Sequence, residues 1–406
     1  GHALVLKWTG THQANRGFEC LLPMLTARTV AELADAQDGW VDPVNNLVCA
    51  DVLGDVAYQC RGELPVRSSD AARRLPVPGW DDGCEWTGTV PFASLPRAVD
   101  PEAGFVMTAN NAMTDADEPY VSYTFSQPWR AERLRSLLAD VPLLGVDELA
   151  AMQADTVSLQ ARGWGRLLSG LGPFADDNAE AARTLLAGWD GNLAAGSATA
   201  LLYACYLRAI AEALYRPVLG AETWTWMTSG VPAPTLSMVR RWLGNDTWEL
   251  LGGPVPPGAG QGAGHRERVL AAVPGALAAA WAAAVKAGGP DPGQWRWGDA
   301  HRAVRVHPLG GTFPGAAMGG DADTIQAAGY GWRPGSPFTV ASLSVYRQVV
   351  DLAEPAAASF VIPGGASGDP ASAHFSDQLA RWAVHQRIPM SGAPGESAAV
   401  VRDEGL

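Results

Sequence analysis

Gly104-Phe105-Val106-Met107-Thr108-Ala109-Asn110-Asn111 reads as a short buried strand that stops abruptly in two amides. Glycine on one side, asparagine on the other and aromatic or β-branched residues between them make that pattern. A carboxamide at a strand end is a fixed dipole whose NH₂ can point into a cleft. It is one of the groups suited to a developing oxyanion. An Asn-Asn pair is also an ordinary turn whose amides cap backbone groups. Taken alone, the pair favours the turn.

Upstream of this stretch, Leu47–Asp51 and Val56–Cys60 flank Val52-Leu53-Gly54-Asp55 and predict a hairpin. Thr29 followed by Glu32 predicts a capped helix start, and Leu4–Trp8 is strand-like. Pro76-Val77-Pro78-Gly79-Trp80 and Asp81-Asp82-Gly83 form a turn-rich connection. Downstream, Trp129–Ala139 sets Leu134, Leu137 and Leu138 on one helical face, with Arg130 and Arg133 near its start.

Helical patterns then run over 148–156, 158–171, 178–189 and 197–215. A Gly/Pro-rich loop, 252–264, precedes an Ala-rich helix over 266–287. Strands return at 344–351 and 358–362, joined by a turn at Glu354-Pro355, and a helix is expected at 376–384. Strands at both ends around a helical middle predict an α+β fold whose ends meet in one sheet. The expected division is 1–145, 146–290 and 291–406.

Composition narrows the function. The 406 residues are 47% hydrophobic and 17% charged, so a large core is available. A net charge of −13 and no Lys/Arg-rich run disfavour nucleic acid as a partner. The apolar run Val269–Val285 is broken by Pro274 and Gly275 and reads as a packed helix, with no membrane span expected. Gly1-His2-Ala3-Leu4 has no secretory start, and the chain reads as beginning mid-domain. The five cysteines lack metal-site spacing. Tight groups at Trp224/Trp226 and Trp295/Trp297 suit core packing, or a pocket for aromatic or acyl groups.

Several stretches together resemble the later part of the β subunit of penicillin-acylase-type N-terminal-nucleophile hydrolases. They are Trp8-Thr9-Gly10, Ala50–Tyr58, Leu75–Trp80, Glu85–Phe92 and Gly104–Asn111. Further on come Trp297-Gly298-Asp299-Ala300-His301-Arg302, Pro363–Pro370 and His374–Gln378. The resemblance implies a partial Ntn-hydrolase-like αββα sandwich with an attached helical domain. It implies hydrolysis of a small-molecule acyl amide. It also implies Asn110 as oxyanion donor and Arg130 as its support. The family nucleophile is a serine at the N-terminus of the β subunit, with its own α-amine as base. No Ser-Asn-Asn-Trp segment stands here, so the chain is expected to be a fragment, inactive alone. Its expected partners are an upstream α subunit and the N-terminal part of the β subunit.

The resemblance further implies a periplasmic or extracellular setting and a calcium site with most ligands upstream. Asp115, Asp117 or Glu118 could offer one carboxylate, although a solvated acidic loop is the simpler reading. No cofactor is expected within these residues. Exported protein can form disulfides, and Cys49 and Cys60 stand symmetrically about the expected turn, within bridging range if directly opposed.

The remaining polar groups favour structural roles. His301 and His307 near Asp299 read as hydrogen-bonded structure, and His374 with Asp377 as a helix-start network. Gly364–Gly368 lacks a phosphate-loop ending and reads as a tight loop. The competing function is a non-catalytic, Trp-rich module that binds acyl or aromatic ligands.

Overall fold

A computed structural model describes residues 3–11, 15–139, 143–229, 234–253, 264–304, 312–313, 315–333 and 335–390. The chain divides into two units, residues 1–131 and 132–406.

In the first unit, helices α1 (Leu21–Thr26) and α2 (Val30–Asp35) precede strands β1 (Asn45–Ala50), β2 (Val56–Arg61) and β3 (Pro65–Arg67). Helix α3 (Asp70–Arg74) and strands β4 (Trp86–Thr89) and β5 (Arg97–Val99) follow. The unit boundary falls inside helix α4 (Trp129–Ala139). Thr29 caps α2 as expected, its hydroxyl accepting from Glu32 N at 3.2 Å. Glu32 reaches back one residue further than a standard capping box, to Arg28 N.

Asp51 organises the hairpin. Its Oδ1 accepts from Leu53 N at 2.9 Å, and its Oδ2 accepts from Val30 N at 3.0 Å, tying the loop to α2. Those backbone donors, Val30 foremost, hold its carboxyl below the usual range. The hairpin closes through residues 51–55, with Gly54 at φ 100°.

This loop corrects the expected register. Cys49 stands opposite Ala57, and Cys60 opposite Asn46. Opposed residues share a face and successive residues alternate. The two cysteines therefore lie on opposite faces and cannot bridge. All five thiols are free, and burial raises the Cys60 thiol pKa.

β2 is the centre of an antiparallel sheet, β1-β2-β5. One face carries Tyr58 and Cys60, which form a core with Leu64 and Leu95; Val106, Met113 and Val121 pack against it. Residues 105–108 are not a ladder strand, contrary to expectation. Val106 finds its apolar contacts by packing on that core, without strand pairing. Leu4–Trp8 likewise forms no strand; Leu4, Val5 and Leu6 are exposed, and Trp8 Nε1 donates to Asp42 Oδ1.

The second unit opens with α5 (Val146–Gln153), α6 (Leu159–Ser169), α7 (Asp177–Leu186) and α8 (Ala198–Leu219). Then come α9 (Ala221–Thr228), α10 (Pro234–Trp248) and α11 (His265–Gly288). Ser158, Asp176 and Ser197 cap α6, α7 and α8 by accepting from backbone N–H groups. α8 is buried over most of its length and packs chiefly against α11. α11 is long and apolar enough, by length and composition, to cross a membrane. Its Val269, Val273, Leu277 and Ala280 are buried within this unit, as expected of a core helix. Residues 254–263 of the preceding loop lie outside the described residues.

Helix α12 (Trp297–Ala300) leads into β6 (Arg302–Ala303), β7 (Ala316–Ala317), β8 (Ala328–Tyr330) and β9 (Val340–Leu343). β10 (Arg347–Val349), β11 (Ser359–Val361), α13 (Leu379–Ala383) and β12 (Ile388–Pro389) complete the order. The ladders are β6-β7, β8-β9 and β10-β11-β12. The glycine loop is tight as expected. A Cβ at Gly365 would lie 1.9 Å from His374 O.

A buried histidine, a half-buried one and a buried carboxyl contribute to the acid response of this unit. His301 is stacked on Trp297, with ring centroids 4.3 Å apart, and its Nδ1 is 2.9 Å from Phe338 O. Burial pushes its pKa down to about 4. His385 is pushed down to about 4 by burial and then by Arg347 and Arg387. Asp321 is buried and shifts the other way, up to about 7, chiefly through burial. Below an ordinary histidine pKa of about 6.5, the unfolded chain gains two protons that the folded histidines refuse, while folded Asp321 holds one more than unfolded. The net is one proton in favour of unfolding. Stability should fall as the pH drops from about 6 toward 4.5. Urea midpoints across that range check it. His385→Gln should flatten the slope, and an unchanged slope would count against the histidine account.

Candidate active site

Asn110 sits where the chain turns, at φ 63°, a left-handed conformation that asparagine tolerates better than most residues. α4 places Arg130 beside it. One guanidinium nitrogen of Arg130, Nη2, lies 2.6 Å from Ala109 O and 3.0 Å from Asn110 Oδ1. It is also 3.4 Å from Ser126 Oγ, and Ser126 N donates to Asn110 O at 2.8 Å. A guanidinium donates and never accepts. The carboxamide atom facing it is therefore the oxygen, and the NH₂ end of Asn110 points elsewhere.

Asn111 has a different task. Its Oδ1 accepts from Ala109 N at 3.0 Å and its Nδ2 donates to Ala112 O at 2.7 Å, a local turn of the ordinary kind. The pair thus splits: Asn111 caps backbone, whereas Asn110 keeps its donor end free of the turn.

Asn110 lies on the wall of a cavity of about 770 Å³ within the first unit. That is within the range of small-molecule sites. Trp8, Leu64, Trp86, Met113, Val121 and Phe125 supply apolar lining, and Lys7, Arg67, Asn46 and Thr108 add polar groups. Two of these were not evident from the sequence as site residues. Asn46 Nδ2 donates to Thr108 Oγ1 at 3.0 Å, and Tyr58 OH donates to Asn46 Oδ1 at 2.8 Å. Thr108 stands in the decisive stretch, one residue from Ala109, so its position was a readable signal. Asn46 reaches it only through the hairpin register.

The other expected polar groups are structural. His301 is the core residue described above, and His307 lies outside the described residues. His374 Nδ1 is 3.1 Å from Asp377 Oδ2 on an exposed turn. The acidic loop does not form a cation cage: Glu118 accepts from Arg73 Nη2 at 2.5 Å, while Asp115 and Asp117 are exposed. Among the described residues, no group of three carboxylate, His or Cys side chains could hold a metal. Trp224, Trp295 and Trp297 are buried packing groups, whereas Trp226 is half-exposed.

The sequence profile described as penicillin amidase matches residues 1–399. A penicillin acylase 2 proenzyme of Pseudomonas sp. (strain SE83) is 33% identical over 96% of this chain and 49% of its own length. An acyl-homoserine lactone acylase of Pseudomonas syringae pv. tomato is 30% identical over 83% of this chain and 43% of its own. The chain therefore spans about half the length of these curated relatives. A thermostable penicillin G acylase from Alcaligenes faecalis superposes with a TM-score of 0.61 at 21% identity, over 96% of this chain and 71% of the other. That likeness shows that the chain shares the mixed helix-and-sheet fold of this penicillin G acylase.

Proposed function

The chain belongs to the penicillin amidase family, and from that premise we propose that it is part of an amidohydrolase cleaving a small-molecule acyl amide by nucleophilic acyl transfer. The observation that carries this reading is the contact of Arg130 with Asn110 Oδ1 at 3.0 Å. By holding the oxygen, it leaves the Nδ2 protons for an oxyanion.

In the proposed reaction a serine hydroxyl attacks the scissile carbonyl carbon and gives its proton to its own α-amine. Negative charge collects on the carbonyl oxygen, where Asn110 Nδ2 donates. Collapse expels the amine and leaves an acyl-enzyme, which water then hydrolyses. A permanently charged guanidinium across the amide also polarises it, strengthening the N–H as a donor.

We place that serine outside residues 1–406. Ser122, the serine on the cavity wall, hydrogen-bonds Thr124 Oγ1 at 3.0 Å and not a base. The relatives, about twice as long, have room for a nucleophile-bearing segment and for an α subunit as partners. A periplasmic or extracellular site of action belongs to the same reading and rests on family membership.

In the complete processed enzyme, Asn110→Ala should lower kcat on the order of 10²–10³-fold, as for loss of one oxyanion donor. Unchanged turnover of a chromogenic acyl anilide would remove Asn110 from the mechanism. Purified residues 1–406 should not turn the same anilide over, because an oxyanion donor without a nucleophile has no attack to stabilise. Adding the remaining segments in trans should restore activity. Steady turnover by the 406 residues alone, surviving repurification, would show a nucleophile within them.

A further inference from the structure

The hydrogen bonds leading to Thr108 have a direction. Tyr58 is 5% exposed, and burial pushes its phenol pKa well above the ordinary value, so it remains an O–H donor. Its proton goes to Asn46 Oδ1 at 2.8 Å. Asn46 must then turn its NH₂ toward Thr108, donating to Oγ1 at 3.0 Å. Reversing the amide would leave the phenolic proton without this acceptor. With its oxygen already accepting from Asn46, the Thr108 hydroxyl has its own proton left to give, and Thr108 lines the same cavity as Asn110.

We propose that Thr108 is a second substrate-binding donor in this cleft, aimed by the Tyr58–Asn46 relay, and that it takes an acceptor oxygen of the substrate other than the scissile carbonyl. Thr108 and Asn110 are separated by one residue, a Cα-to-Cα reach of up to about 7 Å. Two donors so spaced serve two oxygens a few bonds apart. The substrate is thus an acyl amide with a second acceptor oxygen a few bonds from the scissile carbonyl. Asn46 and Tyr58 are positioning residues. This inference rests on the amidohydrolase reading above.

The test compares two amides of one acyl group in the complete enzyme: the anilide, and the amide of an α-amino lactone, which carries a second carbonyl. Thr108→Val should raise KM for the lactone amide relative to the anilide about five- to tenfold, the scale of one neutral hydrogen bond. Thr108→Ser should restore the ratio. Asn46→Asp is the directional test. A carboxylate accepts from both Tyr58 and Thr108, so the relay stays bonded while the threonine proton is drawn away from the cleft. It should therefore reproduce the Thr108→Val ratio and add little to it in the double variant.

An unchanged KM ratio in Thr108→Val, or a ratio in Asn46→Asp equal to that of the parent enzyme, would overturn the proposal. Calorimetric binding of the intact lactone amide and anilide to the same variants reads the ratio without turnover. If the parent enzyme binds but hydrolyses neither compound, the amidohydrolase reading fails, and the binding ratio still decides whether Thr108 is a donor.

Discussion

A permanently charged guanidinium placed beside one carbonyl and one carboxamide is the constraint on which the site depends. Arg130 meets Ala109 O and Asn110 Oδ1 through a single nitrogen. Its rigid, acceptor-free geometry decides which end of the Asn110 amide faces it. A lysine would bring charge without the planar fork, and a neutral donor would bring direction without the charge. Because Asn110 occupies a left-handed backbone conformation, it also needs neighbours that hold it there. Arg130 on one side and the Ser126 N–H on the other do so.

That arrangement draws on distant parts of the first unit. α4 brings Arg130 to the turn, and the 51–55 loop sets the β1–β2 register that puts Asn46 near Thr108. Asp51 closes that loop while binding the first turn of α2. A one-residue slip of β1 against β2 would put Asn46 on the opposite face of the sheet from Tyr58. The polar groups of the cleft therefore inherit their geometry from a loop that touches none of them.

The second unit is built on apolar burial. α8 and α11 bury alanine and leucine in closely packed helices, and the large indoles of Trp164, Trp295, Trp297, Trp332 and Trp382 fill the core. A few of its ionisable groups are buried and strongly perturbed. Arg240 lies over the rings of Tyr330 and Trp332, 4.2 and 5.6 Å from their centroids, with Asp321 in the same buried neighbourhood. Such groups do stability work, and their protonation opposes or favours folding according to the sign of each shift.

The sequence by itself determined most helices, because apolar periodicity and caps are local. The span Trp129–Ala139, the cap at Thr29 and the strands around 347–349 and 359–361 were all readable. Motif order was enough to point to the family and to Asn110 with Arg130. Tertiary structure decided what depends on partners far along the chain. The hairpin register separated Cys49 from Cys60, since a turn one residue different in placement reverses every face. Residues 105–108 have strand composition but no ladder, because packing on Tyr58, Cys60 and Leu64 buries Val106 without a paired strand. The orientation of Asn110 was likewise not in the sequence: an amide has two ends, and only the position of a group that can donate but not accept tells them apart.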